Sequence, residues 1–349
     1  DILIGARTAD GGAADSGIVY LVYGSASLSS SIDLGALGSG GISFQGEATS
    51  DRVGSSVAGV GDVDNDGFDD VLMGADSASP SLNQQGRVYL VYGGSGISGN
   101  FDLSTLGSGG MVMDGIDIQD KAGTSVAAAG NVNGDAFDDM LIAADQANPN
   151  GENNAGQMYI VYGGSSLPTS MSLSAADVAI NGDAPGDFLG GAIAGGGDVD
   201  NDGFDDVIAT SDIWPAGGDN NGRSYLVYGS ASLASAIEVG SLGSGGVVFT
   251  GADTDDNSGV SVALGGDMNK DGYDDILIGA HNSDTTANNA GDAYLVFGGP
   301  TLPASYSLAS VDAGGSVLNG IAVNDRCGQT TAFAGDVDGD GYDDMLIGA

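Results

Sequence analysis

A nine-residue acidic signature recurs in fixed phase along this chain, and no other feature limits the fold so strongly. It reads DVDNDGFDD from Asp62, NVNGDAFDD from Asn131, DVDNDGFDD from Asp198, DMNKDGYDD from Asp267 and DVDGDGYDD from Asp336, at spacings of 69, 67, 69 and 69 residues. Other columns keep step with it. An apolar tail follows as DVLMGA at 70–75, DMLIAA at 139–144, DILIGA at 275–280 and DMLIGA at 344–349, and DVIATS at 206–211 is the divergent copy. The same tail opens the chain as DILIGA at 1–6. A tyrosine-rich segment, YLVYG from Tyr20, Tyr89 and Tyr225, recurs as YIVYG from Tyr159 and YLVFG from Tyr294. An aspartate also precedes a glycine by three residues at Asp51, Asp120, Asp187, Asp256 and Asp325. The 349 residues are therefore five periods of one unit, cut in the same phase at both ends and read as a single repeat domain over 1–349. Such a unit buries its apolar surface by stacking on its copies.

Each period predicts four short strands. In the second these are SSVAGVG before the acidic loop, VLMGA after it, RVYLVYG beyond a polar loop, and GISFQG or its successor MVMDG beyond a Gly/Ser stretch. All are rich in Val, Ile, Tyr and small residues and are bounded by turn formers. No segment sustains the i, i+3, i+4 apolar pattern of a helix. The expected class is all-β, with four-stranded antiparallel sheets packed face to face as the blades of a β-propeller. A solenoid coil repeats at roughly 20–30 residues instead. Closure is left open by the pattern, because residues 1–6 duplicate 344–349. A closed five-blade ring, part of a larger ring, and closure by a neighbouring copy through an unpaired strand edge are all compatible with it.

The charge balance then asks what holds the acidic loops together. Lys and Arg number 7 against 48 Asp and Glu, a formal net charge of −41. No basic face exists to displace counterions from nucleic acid or to meet an anionic membrane surface. No apolar run reaches the roughly 18 residues of a membrane span. One cysteine, Cys327, excludes internal disulfides and thiolate clusters. In D-x-D-x-D-G-x-x-D, side chains at positions 1, 3, 5 and 9 and the carbonyl at position 7 offer hard oxygen ligands, and Gly at position 6 turns the chain. That set suits calcium. An EF-hand needs a Glu at position 12 and flanking helices, whereas position 12 here is Met73, Ala209, Ile278 or Ile347 between strands. Turn propensity alone is the alternative for one copy, and five copies in phase argue against it.

The unit G-x-S-V…D-V-D-x-D-G-[FY]-x-D-[VIM]-L-x-G-A…V-Y-L-V-Y-G resembles the FG-GAP repeat of the integrin α-subunit propeller and of bacterial surface proteins built from it. The likeness implies a calcium ion in each hairpin between the first two strands of a blade, five at most. Its ligands would be Asp62, Asp64, Asp66, the Phe68 carbonyl and Asp70 in the first loop, and Asn131, Asn133, Asp135, Phe137 and Asp139 in the second. Asp198, Asp200, Asp202, Phe204 and Asp206 would serve the third, Asp267, Asn269, Asp271, Tyr273 and Asp275 the fourth, and Asp336, Asp338, Asp340, Tyr342 and Asp344 the fifth. The pattern is departed from where the FG aromatic is Val53, Ala122, Leu189, Ser258 or Cys327, and where the proline of GAP is Arg7, Asp76, Asp145, Asp212 or His281.

The loops are unequal. Carboxylates at positions 1, 3, 5 and 9 number four from Asp62, Asp198 and Asp336, three from Asp267 and two from Asn131. Ala136 also stands where the others have glycine, so the Asn131 loop is expected to be the weakest site. The position-8 aspartates (Asp69, Asp138, Asp205, Asp274, Asp343) are expected to be exposed hairpin residues or supports rather than ligands. Nothing marks a grafted catalytic site: His281 falls in a polar loop, Cys327 in the strand-entry column as a small buried residue, and Trp214 in a variable loop. The expected function is adhesion or scaffolding at a cell surface or outside the cell, through a protein or glycan ligand, within a larger surface or filament-forming protein. A carbohydrate-binding propeller, with Trp214 and Asn-rich loops such as NPNGENNAG as contacts, and the propeller domain of a polysaccharide-active enzyme are the alternatives.

Overall fold

The computed structural model describes residues 1–349 except 95, 96, 98, 213–219, 312 and 313, so Trp214 lies outside the described residues. The chain is all-β: antiparallel sheets follow one another in sequence order, with three-residue 3-10 turns as the helical elements among the described residues. In the second sheet the strands run Val57–Gly59, Val71–Ala75, Arg87–Val91 and Gly110–Asp114, in spatial order and each antiparallel to the last. The third (from Val126), fourth (from Ile193) and fifth (from Ser258) sheets repeat this plan. The first sheet has Ile2–Ala6, Ile18–Val22 and Gly41–Gln45, and the sixth has Thr330–Gly335 and Asp344–Gly348.

One element was not expected. A short segment of each of four periods, such as Ser170–Ser172, pairs in parallel with the outer strand of the sheet before it, here Gly110–Asp114. Gly99–Asp102, Ala236–Glu238 and Ser305–Ser307 do the same. Successive sheets are thus sewn together at their outer edges.

The core lies between sheets. Val71–Ala75 is buried along its whole length, as a strand covered on both faces must be. Its side chains alternate: Val71, Met73 and Ala75 join Val19, Ile42 and Phe44 of the first sheet, while Leu72 joins Met140, Ile142 and Tyr159 of the third. The same sharing links the third to the fourth, the fourth to the fifth and the fifth to the sixth sheet. This is propeller-type packing of blade on blade. It explains the glycine columns too. A Cβ on Gly74 or Gly279 would overlap the carbonyl oxygen of Gly123 or Gly328, which lead into the next sheet and themselves hold φ of +88° and +83°. Among the described residues no hydrogen bond joins the first sheet to the sixth, and Ile2, Ile4, Val337 and Leu346 are exposed there.

Candidate metal centre

All five acidic nonapeptides form tight hairpin loops between the first and second strands of a sheet, as their turn chemistry requires. One internal bonding scheme builds them. In the Asp62 loop, Asp62 Oδ1 accepts from the Asp66 amide (2.9 Å) and Oδ2 from the Gly67 amide (2.8 Å). Asp64 Oδ1 accepts from the Asp66 amide (3.2 Å) and Asp66 Oδ1 from the Phe68 amide (3.0 Å). The loops from Asp198, Asp267 and Asp336 repeat the position-1 bonds to the position-5 and position-6 amides. Gly67, Gly203, Gly272 and Gly341 at position 6 have φ between +88° and +94°.

The aspartate at position 9 closes the loop from below. Asp70, Asp139, Asp206 and Asp275 are buried, and each takes one bond from the position-2 amide and a second from the glycine that ends the YxVYG segment. That glycine, in constant phase, was the sequence signal for a contact the motif itself does not reveal. Burial is the main cause that pushes these carboxyls up from 3.8, against the pull of the two amides: to about 6 at Asp70 and Asp275, about 7 at Asp139 and about 8 at Asp206. Asp64 and Asp200 rise for the same reason, reinforced by the neighbouring loop carboxylates.

Carboxylate oxygens converge in three loops: Asp62, Asp64 and Asp66; Asp198, Asp200 and Asp206; and Asp336, Asp338 and Asp340 each bring theirs within 4.8 Å of one another. No cationic side chain bonds to them among the described residues. Asp200 Oδ1 is buried without a hydrogen-bond partner. The Asp198 cage, partly desolvated, self-repelling and incompletely bonded, fits a hard divalent cation, which would offset each of these costs, and the Asp62 and Asp336 cages present the same converging carboxylates nearer to solvent. The other two loops differ. Asn133 and Asn269 turn their amide nitrogens onto Asp135 and Asp271 at 2.9 Å, occupying the carboxylate from within. In the Asn131 loop the position-1 amide has a single oxygen, which takes the Gly134 and Asp135 amides and leaves none for Ala136. Ala136 nevertheless holds the left-handed φ of +80°.

Residues outside the loops are structural in their surroundings. His281 is half-buried, and burial first, then Arg326, lowers its pKa. Cys327 is half-buried rather than buried, and burial, with Asp292 and Asp325, raises its thiol. Asp120, Asp187, Asp256 and Asp325 each accept from the amide three residues earlier, holding the turn into the next sheet.

With this geometry in view, known proteins supply the comparison. The FG-GAP repeat family matches residues 53–91, 122–161 and 258–296, each running from the strand-entry turn through the acidic loop to the end of the third strand. These are FG-GAP repeats. Integrin alpha-IIb of Mus musculus is 30% identical over 170 residues, 47% of this chain and 15% of that protein. Integrin alpha-5 of Xenopus laevis is 28% identical over 266 residues, 73% of this chain and 22% of that protein. The phosphatidylinositol-glycan-specific phospholipase D of Rattus norvegicus is 28% identical over 173 residues, 48% and 19% of the two chains. The chain thus spans under a quarter of the length of these curated relatives, which include integrin alpha chains and a named phospholipase alike. The chain resembles the integrin α propeller. The period around Leu189–Val227 falls outside the matched FG-GAP segments although it keeps the same strands, and it is the one whose Gly-Ala pair is replaced by Thr210 and Ser211.

Proposed function

We propose that this chain is a calcium-stabilised propeller of FG-GAP blades that acts outside the cell or at its surface, as an adhesion or scaffold module for a protein ligand and without catalysis of its own. The observation that carries the metal half of this reading is the convergence of three carboxylates within 4.8 Å in three loops, with Asp200 Oδ1 buried and unbonded. The adhesion half rests on the resemblance to integrin α chains. Calcium would supply positive charge that turns a repelling hairpin into a rigid one. Asp62, Asp64, Asp66, the Phe68 carbonyl and Asp70 would hold one ion, with their counterparts from Asp198 and Asp336 forming equally acidic cages. The cages from Asp267 and Asn131 would be weaker, in that order. Five dications would leave about thirty negative charges, tolerable where salt screens over roughly 8 Å.

Two measurements test the two halves separately. Isothermal titration of metal-free chain with calcium should give at least three ions per chain, and an absence of binding at millimolar calcium would sink the metal reading. Beads coated with the chain should attach to cells in calcium and detach in EDTA. Beads that never attach, carrying chain shown to be calcium-loaded, would remove the adhesion reading.

A further inference from the structure

The metal loops are not independent hairpins. The carboxylate of Asp138, at position 8 of the second loop, accepts from the backbone amide of Asp62, at position 1 of the first, at 2.8 Å. Asp205 does the same to Asn131 (2.7 Å), Asp274 to Asp198 (2.9 Å) and Asp343 to Asp267 (2.9 Å). In return the position-1 carbonyl accepts from the amide of the same aspartate, at 3.2 Å for Asp205 on Asn131 and for Asp274 on Asp198. Position 1 is thus gripped on both sides of its Cα by the next loop. The glycine before it leaves the room: a Cβ on Gly61 or Gly130 would overlap the incoming Asp138 or Asp205 carboxylate.

A second set of contacts runs through position 4. Asn201 Nδ2 donates to the Gly272 carbonyl in the following loop at 2.9 Å. Lys270 Nζ sits 5.4 Å from the ring centroid of Tyr342, the position-7 residue of the following loop. A Cβ on Gly134 would lie 2.6 Å from the Phe204 ring, the position-7 residue of the third loop. Three loops therefore lean through position 4 on position 6 or 7 of the next one, and four are held at their own first ligand by that next loop's position 8.

We propose that the position-8 aspartates Asp138, Asp205, Asp274 and Asp343 couple neighbouring metal loops, so that an ion in one loop raises the affinity of the loop before it. This rests on the calcium reading above. The residues on either side of position 8 are the loop's own ligands at 7 and 9, so a filled loop fixes the clamp. A fixed clamp has already ordered position 1 of the neighbour, whose carboxylate then closes on its ion at smaller entropic cost. Coupling of this kind is reciprocal, so it spreads along the array in both directions. Its sign is diagnostic, because repulsion between two nearby dications alone makes successive ions bind more weakly.

Native mass spectrometry of the full chain at half-saturating calcium reads the distribution of bound ions directly. The expected distribution has an excess of empty and multiply loaded chains over the binomial one. Asp274→Ala, which removes no ligand, should restore binomial populations for the loops it joins and raise the calcium needed for half-filling by about tenfold. Asp69→Ala is the matched control: Asp69 is exposed and clamps nothing among the described residues, so its variant should behave as the parent. Asp274→Asn keeps volume and one acceptor and serves if the alanine variant does not fold. Calcium bound with binomial populations in the parent, or coupling untouched by both Asp274 variants, would overturn the coupling and leave the calcium reading standing. No calcium bound at all would overturn that reading instead.

Discussion

Ala136 offers the sharpest single-residue test of how these loops are built. It holds φ of +80° where Gly67, Gly203, Gly272 and Gly341 hold +88° to +94° in the other loops. A non-glycine residue in this region costs about 1–2 kcal/mol through the clash of its Cβ with the following carbonyl. Glycine in its place relieves that strain but widens the unfolded ensemble, which costs about 0.4–1 kcal/mol. Ala136→Gly should therefore stabilise the chain by a net of about 0.5–1 kcal/mol. The reverse exchange checks the bookkeeping. A Cβ on Gly67 meets nothing within 4 Å, so Gly67→Ala should destabilise by backbone strain alone, with the opposite sign and similar size. Urea titration of parent and both variants in EDTA gives the two free energies without metal in the balance, read from the midpoint at constant slope. A neutral Gly67→Ala together with a destabilising Ala136→Gly would refute the reasoning. In that event position 6 would not be conformationally selected, and the ranking of the Asn131 loop would rest on its two carboxylates alone.

Other outcomes follow from the same structure. Chelation should lower the melting temperature by several degrees or more, since each ion held at 100 times its dissociation constant adds about 2.7 kcal/mol; scanning calorimetry with and without EDTA measures it, and coincident traces would count against structural metal. Asp256 is buried and pushed up to about 6, chiefly by burial, with Asp253, Asp292 and Asp284 adding repulsion. Its folded pKa exceeds the ordinary 3.8, so the folded state binds the proton more readily and stability is lost as pH rises from about 4 to about 6. Asp256→Asn should flatten that slope and stabilise the chain at pH 8 by at most about 3 kcal/mol, with no gain at pH 3, as denaturant titration at the two pH values will show. Leu72→Ala, emptying a fully buried position between the second and third sheets, should cost about 2–5 kcal/mol by the same method.

Much of the architecture was legible because one unit is written five times. Strands expected at VLMGA and RVYLVYG run as Val71–Ala75 and Arg87–Val91, and the position-6 glycines adopt the left-handed turn their place in the motif demands. Within a period, local periodicity is enough to find a strand. What the pattern could not reveal are bonds between periods, because a column that repeats gives no sign of whether it faces its own sheet or the next. The parallel pairing of Ser170–Ser172 with Gly110–Asp114 is of this kind, since Ser-Met-Ser in a Ser/Thr-rich linker is too short and too weakly apolar to carry a strand signal of its own.

Position 8 shows the same blindness at the acidic loops, and shows why it matters. Two adjacent aspartates, Asp205 and Asp206, look interchangeable in the sequence, yet alternation along an extended chain sends them to opposite sides. Asp206 turns inward to the amides of Val199 and Gly229 in its own sheet, while Asp205 turns outward to the amide of Asn131 in the sheet before. One carboxylate builds the cage and the other joins cages together. A loop grafted alone onto another scaffold would keep the first function and lose the second. The affinity of a single excised hairpin should therefore fall below that of the same loop in the array, by the factor that its neighbour's clamp contributes.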